Sequence, residues 1–221
     1  MLWLFLLASC GQVIKPKNFA EGYIEYSIEY DDSLQPQNFN ANMRPNKMII
    51  KFKDSNTINK IEGLSGAFSF AFIQNNKTQK AYILIKLLNK KLYYQEDLSP
   101  NAFPFAYNNM PKFTLHKLPD NEEHMGYSCK RAIACYSDST LNPFNILYTN
   151  EIGIPNPNAN TPFHDIDGIM LKFSAIMFNH KMNVQASTIK AASIPDEEFF
   201  IPRDYEEVGL DVVKDVIDLL K

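Results

Sequence analysis

The sequence predicts a mainly β fold that ends in a single helix. Three observations predict it. Apolar and polar residues alternate with period two through most of the chain, the pattern of strands with one buried face. The 16 Phe and 11 Tyr are residues that favour strands. After residue 206 the apolar spacing changes to that of an amphipathic helix.

The strands follow in order. Ile24, Tyr26, Ile28 and Tyr30 share one face, with Glu25, Ser27 and Glu29 on the other. Met48, Ile50 and Phe52 alternate with lysines around Ile49, and Phe68, Phe70 and Phe72 alternate with Ser69 and Ala71. Residues 81–88 form an apolar strand, and residues 92–95 begin another. Gln74-Asn75-Asn76-Lys77 is a hairpin signal between two of these runs. Residues 98–111 hold three prolines and three asparagines and form a loop. Phe113 and Leu115 begin the next alternation, and residues 125–136 and 144–149 are further strands. A second Pro/Asn loop spans 155–162. Residues 168–177 and 182–190 then make a closing hairpin turned at Asn179-His180. In 206–220, Val208, Val212, Val213, Val216, Ile217, Leu219 and Leu220 make a helical stripe against Asp211, Lys214, Asp215 and Asp218. That stripe must bury against something, most simply the sheet.

The chain has 221 residues, enough for one ordinary domain. No linker or repeat divides it, so residues 20–221 form a single unit. The net charge is −3 with scattered Lys and Arg, which points away from nucleic acid as a partner. The 8 Gly leave little room for glycine-rich phosphate loops.

Residues 2–8 are an apolar run, far too short for a bilayer span of about 20 residues. The run has the character of a secretory signal core without its basic leader. It ends in Leu7-Ala8-Ser9-Cys10, which resembles a bacterial lipobox. The resemblance implies a signal segment at 1–9, a diacylglyceryl group on the Cys10 thiol, and a tether at 10–19 that holds the domain at a membrane. Cys129 and Cys135 fall on one predicted strand, about 20 Å apart at roughly 3.3 Å per residue. A disulfide needs Cα atoms within about 7 Å, so two unpaired thiols are expected.

Three segments carry a family resemblance. Gly126-Tyr127-Ser128-Cys129-Lys130-Arg131-Ala132 resembles the "GYxCKKA" strand of Gram-negative envelope proteins of unknown function. Tyr148-Thr149-Asn150-Glu151-Ile152, a proline loop, and Asp167-Gly168-Ile169-Met170-Leu171-Lys172-Phe173 resemble the "T-x-E-I … G-L-P-G-L-I-L" region of the GLPGLI family. The run from Phe199-Phe200-Ile201-Pro202 to Tyr205 is similar to the "F-x-I-P-x-G-Y" before the last helix of such chains. The glycine-proline pair is missing at Asp167-Gly168, which puts the chain near that family. The resemblance implies a LolA/LolB-like half-barrel: a curved antiparallel sheet with the helix against its concave face. It also implies a periplasmic or outer-membrane location in a bacterial envelope. Transport of lipoproteins does not follow, because a fold does not fix a function.

Candidate chemistry is sparse. His164, Asp165 and Asp167 are the one compact set of metal-type ligands, at the end of a polar loop where such residues are also ordinary. His116, His124 and His180 stand singly. There is no serine elbow motif, and nothing near Cys129 in sequence pairs it with a base. Glu122-Glu123 and Glu197-Glu198 read as solvated turns. Phe68, Phe70, Phe72, Phe103 and Phe105 could line a greasy cavity or fill a core outright. The expectation is a non-catalytic envelope lipoprotein without a cofactor, binding an apolar ligand or lipidated segment in the sheet's concavity. The alternative is a protein-interaction module of the envelope, with a hydrolase or metal enzyme last.

Overall fold

The computed structural model describes residues 17–31, 45–98, 107, 110–177 and 180–218. Cys10, Phe103, Phe105 and the turn at 178–179 lie outside the described residues. The strands are β1 (Glu21–Tyr30), β2 (Lys47–Lys53), β3 (Asn56–Gly63), β4 (Phe68–Asn75), β5 (Lys80–Leu87) and β6 (Lys90–Asp97). They continue with β7 (Phe113–His124), β8 (Tyr127–Tyr136), β9 (Phe144–Thr149), β10 (Ile169–Met177), β11 (His180–Ala191) and β12 (Glu206–Glu207). Helix α1 is Leu210–Asp218.

All the strands belong to one 12-stranded sheet in the order β12-β6-β5-β4-β3-β2-β1-β11-β10-β9-β8-β7. The sheet is curved, unclosed and antiparallel except at β12, which runs parallel to β6. Two meanders, β2 to β6 and β7 to β11, meet where β1 pairs with β11. There the two ends of the chain come together: Gly22 opposes Ala191 and Ile28 opposes Val184. The register slips once, between Glu25 and Tyr26, a bulge of the kind that bends a strand and sharpens its twist.

Curvature gives the sheet one shared inner core. Ile24 and Tyr26 of β1, Phe68, Phe70 and Phe72 of β4, and Phe173 of β10 all belong to it. So do Tyr127 and Cys129 of β8, near the far edge. Strands from both ends of the order share a cluster only if the sheet curls around it. Helix α1 packs on this inner face through Val213, which is 1 % exposed, with Val208 and Val216 beside it.

The outer face has its own smaller core. A strap of residues 192–205 crosses β2 to β5 and buries Ile194 and Phe199 against Ile58, Ala71, Ile73, Tyr82 and Leu84. The strap is tied by polar contacts. The Ile194 N–H donates to the Glu21 carboxylate at 2.6 Å, and the Asn75 amide donates to the Phe199 carbonyl at 3.1 Å. Lys53 pairs with Asp196, and Lys51 with Glu198, both at 2.7 Å. These ion pairs are partly exposed and contribute little each, roughly 0–1 kcal/mol. Apolar burial on both sides is the larger effect, at about 25 cal/mol per Å².

One strand is additional to the sequence reading, and one sequence expectation is corrected. The additional strand is β3, which alternation does not reveal. Ile58 faces the outer core and Ile61 the inner one, so its apolar residues fall on both faces. The correction concerns the helix, which begins at Leu210 instead of 206. Glu206 and Glu207 are drawn into the sheet: the Glu207 carboxylate accepts from the Tyr93 hydroxyl at 3.1 Å and the Gln95 amide at 2.9 Å. The Val208 N–H then donates to the Tyr93 carbonyl at 2.9 Å. The two cysteines are unpaired thiols, Cys129 buried and Cys135 half-buried.

Two predictions follow from this packing. A Cβ at Gly22 would lie 2.2 Å from the Lys190 carbonyl oxygen, so the central strands must part to admit one. Gly22→Ala should lower the urea-unfolding free energy by about 1–3 kcal/mol, and a neutral result would show the β1–β11 contact to be looser than described. Burial pushes the Cys129 thiol up to about 11, which suppresses its thiolate. In a chain carrying Cys10→Ser, a thiol reagent at neutral pH should label Cys135 in the folded protein and reach Cys129 only after unfolding. Equal labelling rates would contradict the buried placement.

A candidate ligand cavity on the inner face

The inner face is not completely filled. A cavity of about 70 Å³ remains between β1 to β4, β10 and the loop that joins β9 to β10. Its deep wall is aromatic, with Tyr26, Phe70, Phe72 and Phe173. Met48, Met170 and Met177 complete that wall, together with Ile61 and Ile169. All of these side chains are buried. The half-buried rim carries Ile50, Pro157 and a polar group: Asn59, Gln74, Asn160 and Thr161.

The β9–β10 loop roofs the cavity because it is folded onto the sheet. Asn158, 3 % exposed, donates its amide hydrogens to the carbonyls of Ile166 and Gly168, each at 2.8 Å. The Thr161 hydroxyl donates to the Asn158 carbonyl at 3.0 Å and accepts the Phe163 N–H at 3.1 Å. Phe163 is fully buried and stacks edge-on to Phe173 at 5.7 Å and to Tyr107 at 6.4 Å. Gly168 lets the chain return under the sheet: a Cβ there would meet the Thr149 carbonyl oxygen at 2.5 Å.

The described lining of the cavity is electrically neutral. No Lys, Arg, Asp, Glu or His lines it among the described residues. The Tyr26 hydroxyl donates to the Met170 carbonyl at 3.0 Å, and burial raises its pKa far above the ordinary tyrosine value. Burial likewise pushes Tyr107 up to about 12. Both phenols are therefore uncharged at physiological pH.

The sequence candidates divide accordingly. Phe70 and Phe72 line the cavity. Phe68, 3 % exposed, belongs to the packed core and is not part of the lining. His164, Asp165 and Asp167 do not converge on one point. His164 Nε2 lies 3.7 Å from Asp165, and both side chains are exposed. Asp167 turns instead to Lys117 at 3.3 Å, Lys130 at 3.6 Å and the Asn150 amide at 3.4 Å. Partial burial raises its pKa, but its own backbone N–H and the two lysines outweigh this and leave it lowered. Among the described residues no group of three or more His, Cys, Asp or Glu is placed to hold a metal ion. Cys129 directs its S–H at the Tyr127 carbonyl, 3.5 Å away. Glu122 faces Arg131 at 3.8 Å, and Glu198 is the strap's partner for Lys51.

Alternation alone does not disclose a second concavity. On the outer face a groove of about 520 Å³ runs between Ile58, Ala71, Ile73 and Leu84 below and Pro195, Phe200 and Pro202 of the strap above. Phe200 is 43 % exposed at its border. Phe199 ends a short 3-10 turn, Asp196–Phe199, and is buried, whereas Phe200 just after it is extended and exposed.

No family model and no curated protein matches this chain, so the GLPGLI resemblance has no family match behind it. Solved structures do match. PNGF-II, in its C2 and P21 crystal forms, superposes over 90 % of this chain with TM-scores of 0.52 and 0.53 at 15 % identity. This chain spans 33 % of the PNGF-II chain. A weaker neighbour is a putative outer membrane lipoprotein-sorting protein domain from Vibrio parahaemolyticus. It is matched over 81 % of this chain and 88 % of its own, at 8 % identity and a TM-score of 0.21. The likeness to PNGF-II establishes a shared fold, a curved sheet that recurs as part of a longer protein.

Proposed function

We propose that the chain is a non-catalytic bacterial envelope lipoprotein, tethered to a membrane through Cys10, that takes the apolar part of a ligand or lipidated segment into the inner-face cavity. The observation that carries this reading is the cavity itself. It is apolar at its base, polar at its rim and roofed by a loop pinned through Asn158, the composition of a ligand seat. At about 70 Å³ it is smaller than the roughly 300–1,000 Å³ of ligand-enclosing pockets, so it accepts one end of a ligand rather than the whole. Among the described residues its walls carry no Cys, His, Lys, Arg, Asp or Glu. Elsewhere, Cys129 is buried with its S–H on the Tyr127 carbonyl, and Asp167 is held by Lys117 and Lys130. The tether rests on the Leu7-Ala8-Ser9-Cys10 match, and the envelope location follows from that match.

A second reading is a protein-interaction module of the envelope, and the outer groove with Phe200 at its border favours it. One experiment separates the two. Full chains extracted from bacterial membranes are cross-linked, weighed, and stripped with organic solvent. The first reading expects a chain that begins at Cys10, carries a diacylglyceryl mass, lacks the emission of Trp3, and releases an apolar compound in stoichiometric amount. A stoichiometric protein partner joined near Phe200, with no released compound, establishes the second. A chain that keeps Trp3 and its unmodified mass removes the tether from both.

A further inference from the structure

The inner cavity's rim has a specific polarity. Asn59 on β3 and Gln74 on β4 stand diagonally across the ladder, since Asn59 opposes Phe72 and Thr57 opposes Gln74. Asn160 reaches the same rim from the roofing loop. Gln74 Oε1 accepts the Thr57 hydroxyl at 3.1 Å, which leaves its amide hydrogens without a partner among the described residues. The side chains of Asn59 and Asn160 have no hydrogen-bond partner among the described residues either. Three half-buried amides thus present donors and acceptors, without charge, above an apolar base.

Resting on the reading of this cavity as a ligand seat, we propose that its ligand is a small uncharged amphiphile. A short apolar end lies against Met48, Met170 and Met177, and a hydroxyl or amide head bonds to Asn59, Gln74 and Asn160.

Size sets the apolar end. An apolar cavity of about 150 Å³ accommodates benzene, so about 70 Å³ takes the last few carbon atoms of a chain and leaves the rest of a short tail at the rim. Methionine side chains are flexible and polarizable, and three of them let the base adjust to a short chain. Charge sets the head. A carboxylate or ammonium drawn to this rim gives up hydration and finds no counter-ion among the described lining residues. A neutral amide or hydroxyl exchanges water for amide partners at little cost. The buried phenols of Tyr26 and Tyr107 remain protonated and add no charge.

The test compares three probes with the same six-carbon framework: hexanamide, hexanoate and hexylammonium. Binding is measured by calorimetry on the full chain carrying Cys10→Ser, which cannot be lipidated. Hexanamide is expected to bind at least about tenfold more tightly than either ion. Asn160→Lys, in a surface loop, should reverse the order and favour hexanoate, and Gln74→Lys should do the same from the strand side. Hexanoate or hexylammonium binding the parent chain as tightly as hexanamide overturns the proposal while leaving the seat itself in place. If none of the three binds, the cavity is no ligand seat and both readings fall together.

Discussion

The pairing of β1 with β11 is the contact on which the rest of the structure depends. It joins residues from opposite ends of the chain, Gly22 with Ala191 and Tyr30 with Met182, and it lies at the middle of the strand order. Each meander on its own is a local structure of hairpins. Only this seam makes them one sheet, and only one sheet can curl so that Phe72 of β4 and Phe173 of β10 face a common space. The loop-closure cost of such a distant pairing grows slowly with length and is offset by burial along the whole seam. Gly22 is the local requirement, because the Lys190 carbonyl occupies the place of a side chain.

The two faces of the sheet then divide the work by chemistry. The outer face is covered by a strap held through Glu21, Asn75 and surface ion pairs, over a cluster smaller than the inner core. The inner face holds the large core, the helix and the roofing loop, and its packing leaves an apolar gap beside three methionines. Interiors are normally filled to crystal-like density, so an apolar gap beside three methionines is a departure that has a cost. That gap is the physical basis for the proposed binding role, and the neutrality of its described walls is the basis for the proposed class of ligand.

Much of this was legible in the residues. Strong alternation marked β1, β2, β4, β8 and the closing hairpin, because each has one face distinctly more apolar than the other. Strand β3 was hidden because Ile58 and Ile61 serve opposite cores. The start of the helix was misplaced because Glu206 and Glu207 suit a helical first turn as well as they suit the edge of β6. Within the candidate site, Phe70 and Phe72 were visible as an aromatic stripe, whereas their separation from Phe68 depends on where the roofing loop lands. Asn59, Gln74 and Asn160 carried no sequence signal. Amides in hairpins and Pro/Asn loops are ordinary, and only their convergence on a greasy opening distinguishes them. His164 and Asp167 show the reverse case, neighbours in sequence whose side chains turn to different partners.

The central claim is that the inner-face gap beside the methionines is an accessible apolar seat. Methionine-methyl NMR under xenon tests it most directly, since xenon enters dry apolar cavities without regard to hydrogen bonding. The account predicts that the methyl signals of Met48, Met170 and Met177 shift together while those of Met125 and Met182 stay in place. An unchanged spectrum, or shifts confined to other methionines, would contradict it.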